Sequence, residues 1–157
     1  SIGYLWGIET VALRIFNAYG PGQSLPVSHA PVIPRFLRQV VSGGSLVLFG
    51  DGHQVRDFVY VADVVAALIS AAQVRGIDRQ VINIGSGQGT SIRQLADIIE
   101  EVTGRRVNRV FNSEKSGGVH RLVADTGRAR KLLGFEPYVS LPAGIERMLA
   151  EDPRFTA

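Results

Sequence analysis

The stretch Thr10–Phe16, Thr-Val-Ala-Leu-Arg-Ile-Phe, constrains the fold most. It is β-branched and nearly all apolar, so it reads as a strand covered on both faces, the habit of strands in a parallel sheet. Asn17-Ala18-Tyr19-Gly20-Pro21-Gly22-Gln23 breaks it sharply. Strands and helices then alternate. Pro34 suits the first turn of a helix running to about Val41 and closed by Gly43-Gly44. Leu46–Phe49 is a short strand and Arg56–Val61 a second. Asp63 reads as the N-cap of an apolar helix, Val64 to about Val74, ended by Gly76. Gln80–Ile84 is another apolar strand.

Ser91 with Gln94 three residues later is a capping box. The helix it opens carries Leu95, Ile98, Ile99 and Val102 on one stripe and stops at Gly104. Val107–Phe111 is a strand. Asp125 caps a helix over Thr126–Leu133, and Ser140 caps the last helix, to about Ala150. No internal repeat or low-complexity segment interrupts this order. Alternation of this kind argues an α/β fold.

The 157 residues suit one domain or part of a larger protein, and 45% hydrophobic residues are enough for a core. The chain starts without Met and without the basic region of a signal peptide, so it is expected to be cut from something longer. With no Cys, disulfides, thiol catalysis and thiolate metal sites are excluded, and His29, His53 and His120 lack metal-ligand spacing. No apolar run reaches the roughly 18 residues of a membrane span. The expected setting is cytoplasmic, with no membrane partner.

The net charge is +3 and the pI about 9.7. The cations are 15 Arg with only Lys115 and Lys131. The arginines are dispersed, apart from Arg105-Arg106 and Arg128-Ala129-Arg130-Lys131. That dispersion fits a protein that tolerates anions better than it fits a nucleic-acid stripe, and no nucleic-acid partner is expected.

Gly50-Asp51-Gly52 is a turn, because Gly adopts positive φ and Asp bonds its own backbone two residues on. Arg56 and Asp57 follow it side by side. A guanidinium placed there suits a bidentate phosphate grip. An arginine on a solvated strand face, in surface ion pairs, is the other reading. Asn83-Ile84-Gly85-Ser86-Gly87-Gln88-Gly89 occupies the place of a dinucleotide fingerprint, but its spacing is Gly-x-Gly-x-Gly. Arg105 and Arg106 stand where an acidic residue would follow, so a tight strand-to-helix turn is the better reading. No Gly-Lys-Ser/Thr triplet, Tyr-x-x-x-Lys or Gly-x-Ser-x-Gly is present. From its residues alone the chain is an anion-binding α/β piece without an evident catalytic centre.

Six segments in order carry a family resemblance: Leu13-Arg14-Ile15-Phe16-Asn17-Ala18-Tyr19-Gly20-Pro21-Gly22-Gln23, Val32-Ile33-Pro34-Arg35-Phe36, Leu48-Phe49-Gly50-Asp51-Gly52, Arg56-Asp57-Phe58-Val59-Tyr60-Val61, Asn83-Ile84-Gly85-Ser86-Gly87, and Ala124-Asp125 before a Lys-Leu-Leu-Gly helix. From about Trp6 to Leu149 the chain resembles the C-terminal half of the NAD-dependent epimerase/dehydratase family, the extended short-chain dehydrogenases. The likeness is greatest to members that epimerise UDP-hexoses at C4.

The resemblance implies late strands of a Rossmann-type parallel sheet plus the smaller α/β substrate-binding domain. It implies that residues 1–157 are the C-terminal, substrate-binding half, and that the NAD-binding half with the Tyr-x-x-x-Lys is absent. NAD would then serve the complete enzyme and not bind this chain tightly alone. The implied partner is a nucleotide sugar, UDP-hexose. A dehydratase or decarboxylase fragment and a non-catalytic nucleotide-sugar-binding module are the alternatives.

By position, the resemblance sets Phe16 near the nicotinamide and Asn17 on the sugar diphosphate. The backbone around Val47 and Phe49 would receive the uracil, Arg56 would pair with the diphosphate, and Leu122 would line the hexose pocket. Lys115 takes the place of a second basic residue, usually Arg, in an Arg-x-Gly-Asp motif that here reads Lys115-Ser116-Gly117-Gly118. Lysine lacks the planar guanidinium fork, and Gly118 lacks the carboxylate. No residue of this chain is assigned to catalysis. Without the other half, the Thr10–Phe16 strand would expose an apolar face and an unpaired edge, a route to self-association.

Overall fold

The computed structural model describes residues 2–26, 30–114 and 118–156. A short helix α1 (Ile2–Trp6) leads into β1 (Val11–Ile15), then β2 (Asn17–Tyr19), α2 (Val32–Val41), β3 (Leu46–Phe49), β4 (Val55–Arg56), β5 (Phe58–Tyr60) and α3 (Val61–Gln73). The second half holds β6 (Gln80–Ile84), β7 (Thr90–Ser91), α4 (Ile92–Thr103), β8 (Arg109–Asn112), β9 (Arg121–Leu122), α5 (Gly127–Leu133) and α6 (Leu141–Glu151). The fold is α/β and Rossmann-type. β1 pairs in parallel with β6 in the register Val11↔Gln80 to Ile15↔Ile84.

That parallel pair seats one of two cores. Val64, Ala67 and Ala71 of α3, spaced i, i+3, i+7, pack with Ile82 and Ile84 of β6 and with Ala129 and Leu133 of α5. The second core lies between α2, β3, α4 and α6. Ile33, Phe36, Leu37 and Val40 form the buried stripe of α2, against Leu95 and Ile99 of α4 and Ile145 and Met148 of α6. The capping box that opens α4 is formed: Gln94 N–H donates to Ser91 Oγ at 3.1 Å, and Ser91 N–H donates to Gln94 Oε1 at 2.8 Å. Gly104 ends α4 with φ 64°, the left-handed value that favours glycine.

Five expectations need correction. Asn17–Tyr19 is not part of a break but a strand, because β5, distant in sequence, offers it a parallel partner (Asn17↔Phe58). The run Arg56–Val61 is not one strand. β4 lies in a sheet ordered β7-β4-β9, β5 pairs with β2, and Asp57 sits at the crossing between them.

Asp63 is no N-cap, since β5 runs straight into α3 and Tyr60 takes the cap position. The buried Asp63 carboxylate accepts the Tyr138 and Val139 N–H groups at 3.1 and 3.3 Å instead. Thr126, not Asp125, is the N-cap of α5, although Asp125 Oδ1 does accept the Gly127 N–H at 2.9 Å.

The burial of Thr10–Phe16 on both faces, expected from its composition, is not found. β1 packs Val11 and Leu13 inward, exposes Ala12, Arg14 and Ile15, and bonds only β6 among the described strands. Leu5, Trp6 and Ile8 before it are exposed, as are Val65, Leu68 and Ile69 on the outer face of α3. No described helix is long and apolar enough to cross a membrane.

An open strand edge and apolar side chains in water favour association. The average mass of the purified chain is expected to rise with concentration in light scattering, and Trp6→Ser with Leu68→Glu to lower it. A constant monomer mass across the dilution series, with a sharp melt, would show that this face closes on itself in solution.

Candidate functional site

Asn17, Val47, Phe49 and Arg56 come together on one cleft of about 230 Å³, which Arg35, Gln54 and Ile92 also line. They arrive from β2, β3, β4 and α2, so the site is assembled from segments far apart in the chain.

Asn17 is held twice by one carbonyl. Its backbone N–H and its Nδ2 both donate to the Asp57 oxygen, at 3.2 and 2.8 Å. That bond sets the plane of the side-chain amide. β3 lies parallel to β8, with Leu46 N–H and Gly50 N–H donating to Asn108 and Asn112 oxygens at 2.8 and 2.9 Å. Strand alternation turns the backbone groups of Val47 and Phe49 to the opposite edge, the one beside the cleft. Gln54 Nε2 donates to the Phe49 oxygen at 3.1 Å and braces the turn that follows. In that turn Asp51 Oδ1 accepts the His53 N–H at 2.9 Å, the local bond expected of an Asp between glycines.

The guanidinium of Arg56 is oriented by backbone: Nη1 donates to the Val55 and Val119 oxygens at 2.8 and 2.7 Å. Arg35 has a different setting. Its guanidinium lies over the rings of Phe49 and Phe36, 5.2 and 5.4 Å from their centroids. Its Nε is buried without a hydrogen-bond partner. Burial lowers its pKa below the ordinary arginine value, yet arginine stays cationic under any physiological condition.

Arg35 has no role in the sequence reading. The signal that exposes it is local: a cation in the first turn of a helix faces the positive end of the macrodipole, a conflict that points to function.

Phe16 and Leu122 do not line the cleft. Phe16 stands at the end of β1, its N–H donating to the Ile84 oxygen at 2.9 Å. Leu122 is exposed on β9, in register with Arg56. Lys115 lies outside the described residues. Among the described residues no His/Cys/Asp/Glu group has the arrangement to hold a metal ion.

The turn bordering Asn17 is clamped from the far end of the chain. The buried Asp152 carboxylate accepts the Gly22 N–H at 2.8 Å and Arg154 Nε and Nη2 at 2.9 and 2.6 Å. Arg154 Nη1 reaches the Gln23 oxygen at 2.8 Å, and Gln23 Nε2 donates to the Ala18 oxygen at 2.9 Å.

Residues 3–85 match the model of the NAD dependent epimerase/dehydratase family. A putative UDP-glucose 4-epimerase of Methanocaldococcus jannaschii is 38% identical over 145 residues, 92% of this chain and 46% of that protein. A UDP-glucuronate 4-epimerase of Thermodesulfobacterium geofontis is 32% identical over 145 residues, 92% of this chain and 43% of that protein. The crystal structure of Thermotoga maritima UDP-glucose 4-epimerase with UDP-glucose superposes with a TM-score of 0.87 at 37% identity, over 94% of this chain and 47% of that one. The chain belongs to the NAD-dependent epimerase/dehydratase family, and it spans about half the length of the curated relatives it matches.

The clamp carries a pH signature. Arg154 hydrogen bonds, with the Gly22 and Arg154 N–H groups, hold the Asp152 carboxyl well below the usual carboxylate range. A depressed folded pKa contributes stability above the unfolded value of ~3.9, and that stability is lost as pH falls below it. Asp152→Asn is expected to cost about 1.5–3 kcal/mol at neutral pH by chemical denaturation. It should also flatten the fall in stability below about pH 4. An unchanged acid limb in the variant would show that the clamp does not set it.

Proposed function

We propose that this chain is the C-terminal, substrate-binding half of an NAD-dependent nucleotide-sugar 4-epimerase, and that its cleft takes the nucleotide diphosphate of a UDP-hexose. The observation that carries the reading is the convergence of two guanidinium-bearing side chains, Arg35 and Arg56, with the oriented Asn17 amide on one cleft. Planar guanidinium forks suit phosphate oxygens. The cleft-side backbone of β3 around Val47 carries N–H and C=O groups, which suit the imide edge of uracil. In this reading Phe16 lies toward the nicotinamide, Leu122 toward the hexose, and Lys115 supplies a further cation to the diphosphate. The names of the relatives support the substrate class, since they are enzymes of UDP-sugars.

NAD supplies hydride transfer when bound to the complete enzyme. The described residues do not fit its pyrophosphate. The one glycine turn of suitable position has its Ser86 and Gly87 N–H groups committed to the Asp57 carboxylate, at 2.7 and 2.9 Å. The cofactor grip and the proton-transfer groups are therefore assigned to the other half of the full-length family protein.

Calorimetric titration with UDP tests the site. Arg56→Ala is expected to weaken binding by about 1.5–3 kcal/mol, the loss of a charge-assisted bond. Arg35→Leu should weaken it in the same direction. Equal binding by wild type and both variants would overturn the assignment, and tighter binding of single-stranded DNA than of UDP would favour a nucleic-acid partner.

With NAD added, the chain alone is expected to show no conversion of UDP-glucose to UDP-galactose, because substrate positioning cannot replace a hydride carrier and base. Measurable turnover would place the chemistry within these residues.

A further inference from the structure

Asp57 is wholly buried, and its carboxylate has no ion-pair partner among the described residues. Oδ1 accepts the Ser86 N–H at 2.7 Å and the Ser86 hydroxyl at 2.6 Å. Oδ2 accepts the Gly87 N–H at 2.9 Å and the Ala124 N–H at 3.1 Å. The glycine turn that resembles a phosphate cradle is thus an anion nest filled by the protein's own carboxylate. The fit is tight: a Cβ on Gly85 would lie 2.7 Å from Asp57 Oδ2 and 2.6 Å from the Ala124 Cβ.

The backbone of the same residue reaches the cleft. The Asp57 oxygen receives both Asn17 bonds, and its N–H donates to the Leu122 oxygen at 3.0 Å. Arg56 is its covalent neighbour. A buried charge that stood there for stability alone would be costly beside an apolar residue of similar size. What this charge does is tie the glycine turn after β6 and the segment after β9 to the crossing between β4 and β5, so that three segments meet at one residue. The backbone fixed at that point carries or bonds the groups assigned to the nucleotide sugar: Arg56 beside it, and Asn17 and Leu122 through its C=O and N–H.

Resting on the nucleotide-sugar reading, we propose that Asp57 is the positioning residue of the site. Lodged in the nest of Ser86, Gly87 and Ala124, it sets the spacing between the Asn17 amide and the Arg56 guanidinium, so that the cleft is shaped before the ligand arrives.

The test uses Asp57→Asn, which keeps the shape but turns an N–H₂ toward donors, and Ser86→Ala, which removes the hydroxyl bond to Asp57 together with the hydroxyl's local bonds to Gln88. UDP titration is paired with residue-resolved amide hydrogen exchange. Asp57→Asn is expected to raise the UDP dissociation constant at least tenfold, and Ser86→Ala to raise it less. Amide protection should fall at Asn17, Ser86, Gly87 and Ala124 while Leu95 and Ile99 of α4 keep theirs. Arg56→Ala should weaken binding less in the Asp57→Asn background than in wild type.

Unchanged UDP affinity, or protection lost equally at Leu95 and Ile99, would overturn the proposal by reducing Asp57 to a general stabiliser. If Asp57→Asn does not fold, the same two measurements on Ser86→Ala support or overturn the proposal in the same way. If wild type binds no UDP, the nucleotide reading falls, while the exchange pattern still decides whether Asp57 ties the three segments together.

Discussion

A carboxylate satisfied by dipoles stands at the seam of this molecule. Asp57 marks the crossing where the chain leaves one sheet for another, and its four acceptor bonds join the glycine turn after β6 to the segment after β9. The strand that follows it feeds both apolar cores, Val59 the one under α3 and Phe58 and Tyr60 the one between α2, α4 and α6. Apolar packing alone is tolerant of small slides. Short bonds to an ion in a dry setting are not, because each lost bond leaves a desolvated charge. The precision of the seam comes from that intolerance.

Features determined within a few residues are legible in the sequence. The Ser91–Gln94 capping box, the Asp51 turn, the Ser140 cap and the glycine stop of α4 all involve partners no more than four positions apart. That Thr10–Phe16 and Gln80–Ile84 are strands is legible for a different reason, since short apolar β-branched runs have few other homes, but that the two pair in parallel is not. What cannot be read is partnership at a distance. Asn17–Tyr19 looks like loop until β5 lies beside it. Asp63 looks like a cap until the 138–139 backbone arrives to use its carboxylate.

The candidate site divides along the same line. Asn17, Val47, Phe49 and Arg56 stand out through family motifs and do share a cleft. Arg35 lies in the motif Val32-Ile33-Pro34-Arg35-Phe36 but has no role assigned from the sequence, because its partner ring lies outside its own helix. Its contact with the cleft runs through the ring of Phe49, a strand away. The Gly85–Gly87 turn is the reverse case. Its local chemistry suits an anion, and only the tertiary structure shows that the anion is an internal one.

The Asp152–Arg154 clamp has a consequence for the order of events during synthesis. The bond from Gly22 to Asp152 spans 130 residues, and the bond from Arg154 to Gln23 spans 131. The capping box of α4 can close as soon as its own residues leave the ribosome. The turn flanking Asn17 cannot lock until residue 154 has emerged from the exit tunnel. The nascent protein therefore carries an unfinished cleft until then, and a ribosome stalled near position 154 would keep both α6 and the clamp inside the tunnel, leaving the turn beside Asn17 unlocked and the second core without Ile145 and Met148.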